Sequence, residues 1–246
     1  MDWKVQAVAT VVFAAPGAAP VDSMHLWERA TGKKPDNFQN LQTHNQASGS
    51  YGRYVLTAVA HSNRFEINFG SSPDEGADLS SGPPTLDDAQ AAIADIVELT
   101  KSLIGDQNPM RVALVANCLA LVETASDAAK GFVEATHLDR IPDEAIDLSF
   151  GLNVRRKFGS AGWEMNRLCK WSVGQIMFMM IDLDQSTGMH TPRMQIAKHQ
   201  VGLSIDTNTA ARPIPLGAAQ AKSALDELQR DTIAIFEGGY DALVAS

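Results

Sequence analysis

The stretch Val5-Gln-Ala-Val-Ala-Thr-Val-Val-Phe13 decides the fold. It is rich in Val and Ala, stops at Pro16-Gly17, and carries apolar side chains on both faces, so it reads as a strand in the interior of a sheet. Working outward, Asp22 to Thr31 places Met24, Leu26 and Trp27 among polar residues, with an Asp/Ser start and Gly32 as a stop, which predicts a short helix. The residues from Gly32 to Ser50 include Asn37, Asn40, Asn45 and Gln46 and show no period; they read as a long amide-rich loop. Tyr54–His61 and Arg64–Phe69, joined at Ser62-Asn63, predict a hairpin. In its second strand Phe65, Ile67 and Phe69 alternate with Arg64, Glu66 and Asn68, which gives that strand one wet face. After a loop from Ser71 to Pro84, Thr85–Asp88 resembles a capping box. Leu86, Ala89, Ile93, Ile96, Val97, Thr100, Leu103 and Ile104 then recur at helical spacing as far as Gly105.

The second half repeats this order. Met110–Leu121 predicts a strand, Ser126–Thr136 a helix, and Ile146–Val154 a strand of strict alternation. A turn at Gly159–Gly162 leads into the long apolar strand Met165–Leu183, with a bulge near Gly174; the loop Gln185–Ala197, the strand His199–Thr207 and the helix Ala218–Phe236 follow. Residues 1–105 and 106–246 therefore read as β-α-β-β-α and β-α-β-β-β-α. That order predicts an α+β protein of two tandem ferredoxin-like (split β-α-β) units, fused into one mainly antiparallel sheet. Val5–Phe13 and Met110–Leu121 would lie in its middle, with the helices Thr85–Ile104 and Ala218–Phe236 on one face.

Three pieces carry a resemblance: the opening strand and helix (Val5 to Thr31), the hairpin ending in Phe65-Glu66-Ile67-Asn68-Phe69, and Leu203-Ser204-Ile205-Asp206-Thr207-Asn208-Thr209 ahead of a long helix. Together they resemble a sporadically distributed, uncharacterised family of bacterial proteins. The resemblance implies the fold and no chemistry.

A chain of 246 residues buries enough surface for a core without staples: area scaling gives roughly 10,600 Å² folded against roughly 38,000 Å² extended. A net charge of −9 excludes a nonspecific binder of nucleic acid or of anionic membranes, and no apolar run is long enough to span a bilayer. Cys118 and Cys169 sit among apolar residues and read as buried reduced thiols of a cytoplasmic protein. The alternative location, export, rests on Met1–Pro20, whose lysine, apolar run and Ala-rich stretch imitate a signal peptide. Asp2, Gln6 and Thr10 interrupt that pattern.

Phosphate-cradle, nucleophile-elbow and zinc-protease motifs are absent from the sequence, and no cofactor is implied. Asp182, Asp184 and Asp206 form a metal-like set. If Met177–Asp184 and Lys198–Thr207 pair with Asp184 opposite Lys198, however, Asp206 faces Ile176, roughly 20 Å from Asp182. They then read as a charge pair and a solvated carboxylate. Arg155, Arg156, Arg167 and Lys170, with Lys157, surround the Gly159–Gly162 turn and are the candidate anion-binding patch, with Arg155 and Arg167 on the wet face; the competing reading is an edge protected by charge. The histidines, among them His44 and His190 in loops, have no ligand spacing. Ile176, Phe178 and Met180 alternate with Met177, Met179 and Ile181, so this strand is apolar on both faces and the first row is the candidate interface. The function this favours is non-enzymatic association, with a homodimer or a protein partner, without a membrane or nucleic acid. The alternative is a small-molecule or anion-binding protein, or an enzyme acting on a nucleotide-like ligand through loops 32–50 and 185–197 and the basic patch.

Overall fold

The computed structural model describes residues 1–72, 82–105, 107–142, 145, 147–158, 163–183 and 190–245, with backbone alone at 158, 178–183, 190–193 and 195–197. The strands are β1 (Lys4–Phe13), β2 (Asn37–Asn40), β3 (His44–Tyr51), β4 (Tyr54–His61), β5 (Arg64–Gly70), β6 (Arg111–Val122), β7 (Ser149–Phe158), β8 (Trp163–Leu183) and β9 (His190–Thr209). The helices are α1 (Ser23–Thr31), α2 (Ala89–Ile104), α3 (Ala125–Thr136) and α4 (Ala218–Val244). All the strands join one sheet in the order β2-β3-β4-β5-β1-β6-β9-β8-β7.

This overturns the tandem ferredoxin-like expectation. A split β-α-β unit sets a single antiparallel strand between the two strands its helix joins, whereas here three strands, β3, β4 and β5, separate β1 from β2, and two, β9 and β8, separate β6 from β7. The cause is the stretch read as a loop. Asn37–Asn40 and His44–Tyr51 form a hairpin, so the chain leaves α1 at the far edge and returns through β2, β3, β4 and β5 to lie antiparallel beside β1. Amide residues carried no alternation because an edge hairpin has little to bury. Asn45 is used instead as an acceptor, its Oδ1 receiving the Ser23 backbone N–H at 2.8 Å and tying the start of α1 to β3.

Both halves follow one plan: a strand, a helix, a meander that ends beside the first strand, and a second helix. In the β1–β6 ladder that joins the halves, Val8 stands opposite Ala116, Ala9 opposite Val115 and Thr10 opposite Leu114.

The four helices among the described residues lie on one face. There α1 packs on β3 and β4, α2 on β1 and β5, α4 on β6 and β9, and α3 on β8 and β9, with α2 touching both α1 and α4. Under them Val8, Val12, Phe65, Ile67, Phe69, Leu114, Cys169, Trp171, Leu203 and Ile205 are buried, each large side chain contributing about 1.5–3 kcal/mol. β1 is central as expected, but its other row, Ala7, Ala9 and Val11, is only half-buried.

Several boundaries move. α2 starts at Ala89 with Asp88 as its cap, the carboxylate accepting the Ala91 N–H at 2.9 Å, so the Thr85 capping box does not form. α4 runs past Phe236 to Val244 through a kink at Gly239, whose φ of 59° suits glycine. The bulge falls between Ile176 and Met177 rather than at Gly174, and β9 takes up the later part of the expected 185–197 loop. Ile146, the Gly159–Gly162 turn, Asp184 and residues 185–189 lie outside the described residues.

Gly49 is fixed by a close approach. A Cβ there would lie 2.4 Å from Asp36 Oδ2, the atom that accepts the Ser50 N–H at 2.9 Å. Gly49→Val should therefore lower stability by about 1–3 kcal/mol in urea unfolding. An unchanged midpoint would show that the β2–β3 edge does not pack as described.

Candidate functional site

The four residues of the candidate anion patch do not share a surface. Strand alternation puts Arg155 and Lys170 on the helix-free face, where Arg155 Nε donates to Asn166 Oδ1 at 3.3 Å and its guanidinium stands 3.6 Å from Glu164. Arg156 and Arg167 point the other way. Arg156 donates to Asp231 Oδ1 at 2.8 Å, while Arg167, only 3 % exposed, lies 3.9 Å from Asp231 Oδ2 and donates to the Ala242 and Ala245 carbonyls at 3.4 and 3.0 Å. Arg167 thus ties the end of α4 to β8 instead of standing on the wet face beside Arg155.

Burial pushes the Asp231 carboxyl up and the Arg167 guanidinium down, and each partly offsets the shift of the other. This knot is structural. Asp231→Ala strands a buried cation and should cost about 3–5 kcal/mol, whereas Arg156→Ala, whose side chain is partly solvated, should cost clearly less. Equal losses in chemical unfolding would contradict this ranking.

The register assumed for the Asp set also changes. Lys198 pairs with Ile176 and Asp182 with Thr191, while Asp206 stands between Val115 and Leu168. The Lys198 ammonium meets Glu123 at 2.5 Å, and Asp206 accepts from Asn208 Nδ2 at 2.7 Å. Among the described residues no three His, Cys, Asp or Glu side chains converge on a metal-sized site. Burial pushes both thiols, Cys118 and Cys169, up to about 12, which keeps them protonated and unreactive.

Two histidines that are distant in sequence do meet, because the β3–β4 register places His44 opposite His61 with ring centroids 5.2 Å apart. His61 Nε2 is 3.2 Å from Glu66, which also accepts from Arg64 Nε at 2.8 Å. Burial, then Arg64, pulls His61 below the ordinary imidazole value against the opposing pull of Glu66. Any stability this neutral ring lends is present above the unfolded value and is lost as pH falls through the depressed one. A proton NMR titration should place the His61 midpoint below that of a free histidine, and a midpoint above it would contradict the assignment.

The arrangement with most bearing on function is the β8–β9 hairpin. β7 pairs with β8 only as far as Ser172, and β6 pairs with β9 only up to His199. From Ile176–Lys198 to Leu183–His190 the two strands therefore continue with no further strand partner among the described residues, an arm of about 25 Å at ordinary strand rise. On it Met177 is 54 % and Met194 61 % exposed, and Ile176 is half-buried. Phe178 and Met180, the rest of the expected interface row, have backbone partners Gln195 and Arg193, and their side chains lie outside the described residues.

The helix-free face adjoins the base of the arm. On this face small apolar residues, Ala7, Ala9, Val11, Val59 and Val115, are interspersed with the polar Glu66, Asn68, Asn117, Ser204, Asp206 and Lys170. Sequence reasoning found the Met-rich strand, but it missed that neither neighbour follows it outward; the ends of β6 and β7 carry that information. No described helix is long and apolar enough to cross a membrane. Neither models of known protein families nor curated protein sequences match the chain.

Proposed function

We propose that the protein acts by association, as a non-enzymatic interaction protein that docks through the β8–β9 arm, with a second copy of the same chain as its simplest partner. The observation that carries this reading is a ribbon that has no neighbouring strand among the described residues and exposes Met177 and Met194. A two-stranded ribbon alone in water is marginal, and its outer edges leave backbone N–H and C=O groups unpaired. A partner supplies both needs at once, pairing an edge and covering the methionines, whose unbranched side chains adapt to an apolar surface.

Light scattering on a sizing column tests the reading. At tens of micromolar the wild type should elute as a dimer, and the double variant Met177→Glu, Met194→Glu as a monomer with unchanged far-UV circular dichroism. A wild type that is monomeric throughout this range would remove self-association as the function.

A further inference from the structure

At the other end of the sheet from the arm, the β1–α1 loop lies over two adjoining cavities. The loop is a tight turn in which Ala18 N–H donates to Ala15 C=O at 3.0 Å, with Pro16 and Gly17 at its corner and Gly17 at φ 79°, the geometry of a type II turn. It is anchored by Ala14 N–H on the Asn63 carbonyl at 2.9 Å. The first cavity, of about 300 Å³, is walled mainly by apolar groups, including Val12, Ala19, Pro20, Val21 and Phe65. The second, of about 400 Å³, shares Ala14, Ala15, Ala18 and Ser62 with the first and is closed by Arg111 and Arg212.

These two arginines differ from those of the α4 knot. Arg111 lies over the Phe13 ring at 5.2 Å and Arg212 over the Trp163 ring at 4.8 Å, but neither makes an ion pair or hydrogen bond among the described residues. Arg111 Nε and Arg212 Nη1 are moreover shielded from solvent without a partner. Such orphaned donors are costly, and a charged pair of them costs most. Among the described residues no acidic side chain lines either cavity, in a chain whose net charge is −9. The aromatic ring beside each guanidinium helps to hold it while leaving N–H groups for an anion.

We infer that this paired cavity is a binding site for a small amphipathic phosphate monoester, its dianionic head held between Arg111 and Arg212 and its short apolar tail lying in the cavity walled by Val12, Val21 and Phe65. Two cations with no acid among the described lining residues match a dianion better than a monoanion, since a single negative charge leaves one guanidinium uncompensated. The Ser62 hydroxyl and Asn63 amide stand in the same wall as further polar groups for the head. The apolar cavity supplies the preference for an ester over free phosphate.

Calorimetry with n-butyl phosphate, inorganic phosphate, butyrate and n-butylamine tests the site. n-Butyl phosphate should bind more tightly than inorganic phosphate and at least about tenfold more tightly than butyrate, and butylamine should not bind. Arg212→Gln and Arg111→Gln should each weaken n-butyl phosphate at least about tenfold with native circular dichroism; Arg212, which follows the last strand, provides the readout if Arg111→Gln fails to fold. Absence of binding by n-butyl phosphate, or affinity unchanged in Arg212→Gln, would overturn the site. Equal affinity for inorganic phosphate would overturn the role of the apolar cavity, and equal affinity for butyrate the dianionic head.

Discussion

The antiparallel ladder between β1 and β6 is the constraint on which the rest of the structure depends. It joins two half-sheets of the same plan, with Ala9 opposite Val115 near the middle of the ladder. Two consequences follow. Each half sends its second helix back over its own first strand, so α2 and α4 meet above the ladder and must lie on the same side. That side becomes the core, and the opposite side of the central strands is left with small apolar residues and no helix to cover them.

How much of this was legible in the sequence depends on what each residue buries. Phe65, Ile67 and Phe69 announced their strand because they go wholly into the core while Arg64, Glu66 and Asn68 do not. Leu225 and Leu228 likewise marked α4 through its apolar stripe. The β2–β3 hairpin was illegible for the opposite reason. Asn37, Gln39 and Asn40 bury almost nothing, and what holds them is backbone pairing to β3, which leaves no pattern in side-chain chemistry. Losing that hairpin was enough to turn an antiparallel meander into an expected split β-α-β unit.

The candidate sites divide in the same way. Arg155, Arg156, Arg167 and Lys170 are close in sequence, and alternation alone separates them onto two faces; the deciding partner of two of them, Asp231, lies on a helix far along the chain. The Arg111–Arg212 pair was equally invisible, because one member opens β6 and the other follows β9, and only the β6–β9 ladder brings those ends together. The apolar run at Met177 was visible from composition. That it stands on a ribbon neither edge of which pairs with another strand among the described residues became apparent only from where β6 and β7 stop.

Hydrogen exchange resolved along the arm tests the central claim, that the ribbon is completed by another chain. Amides of residues 176–183 and 190–198 should be exposed at nanomolar protein, because the outer edges of a lone ribbon are open, and should gain protection as concentration rises to tens of micromolar, while those of β1 and β6 stay protected throughout. Arm amides that exchange at the same rate across that range would contradict association of like chains through the arm.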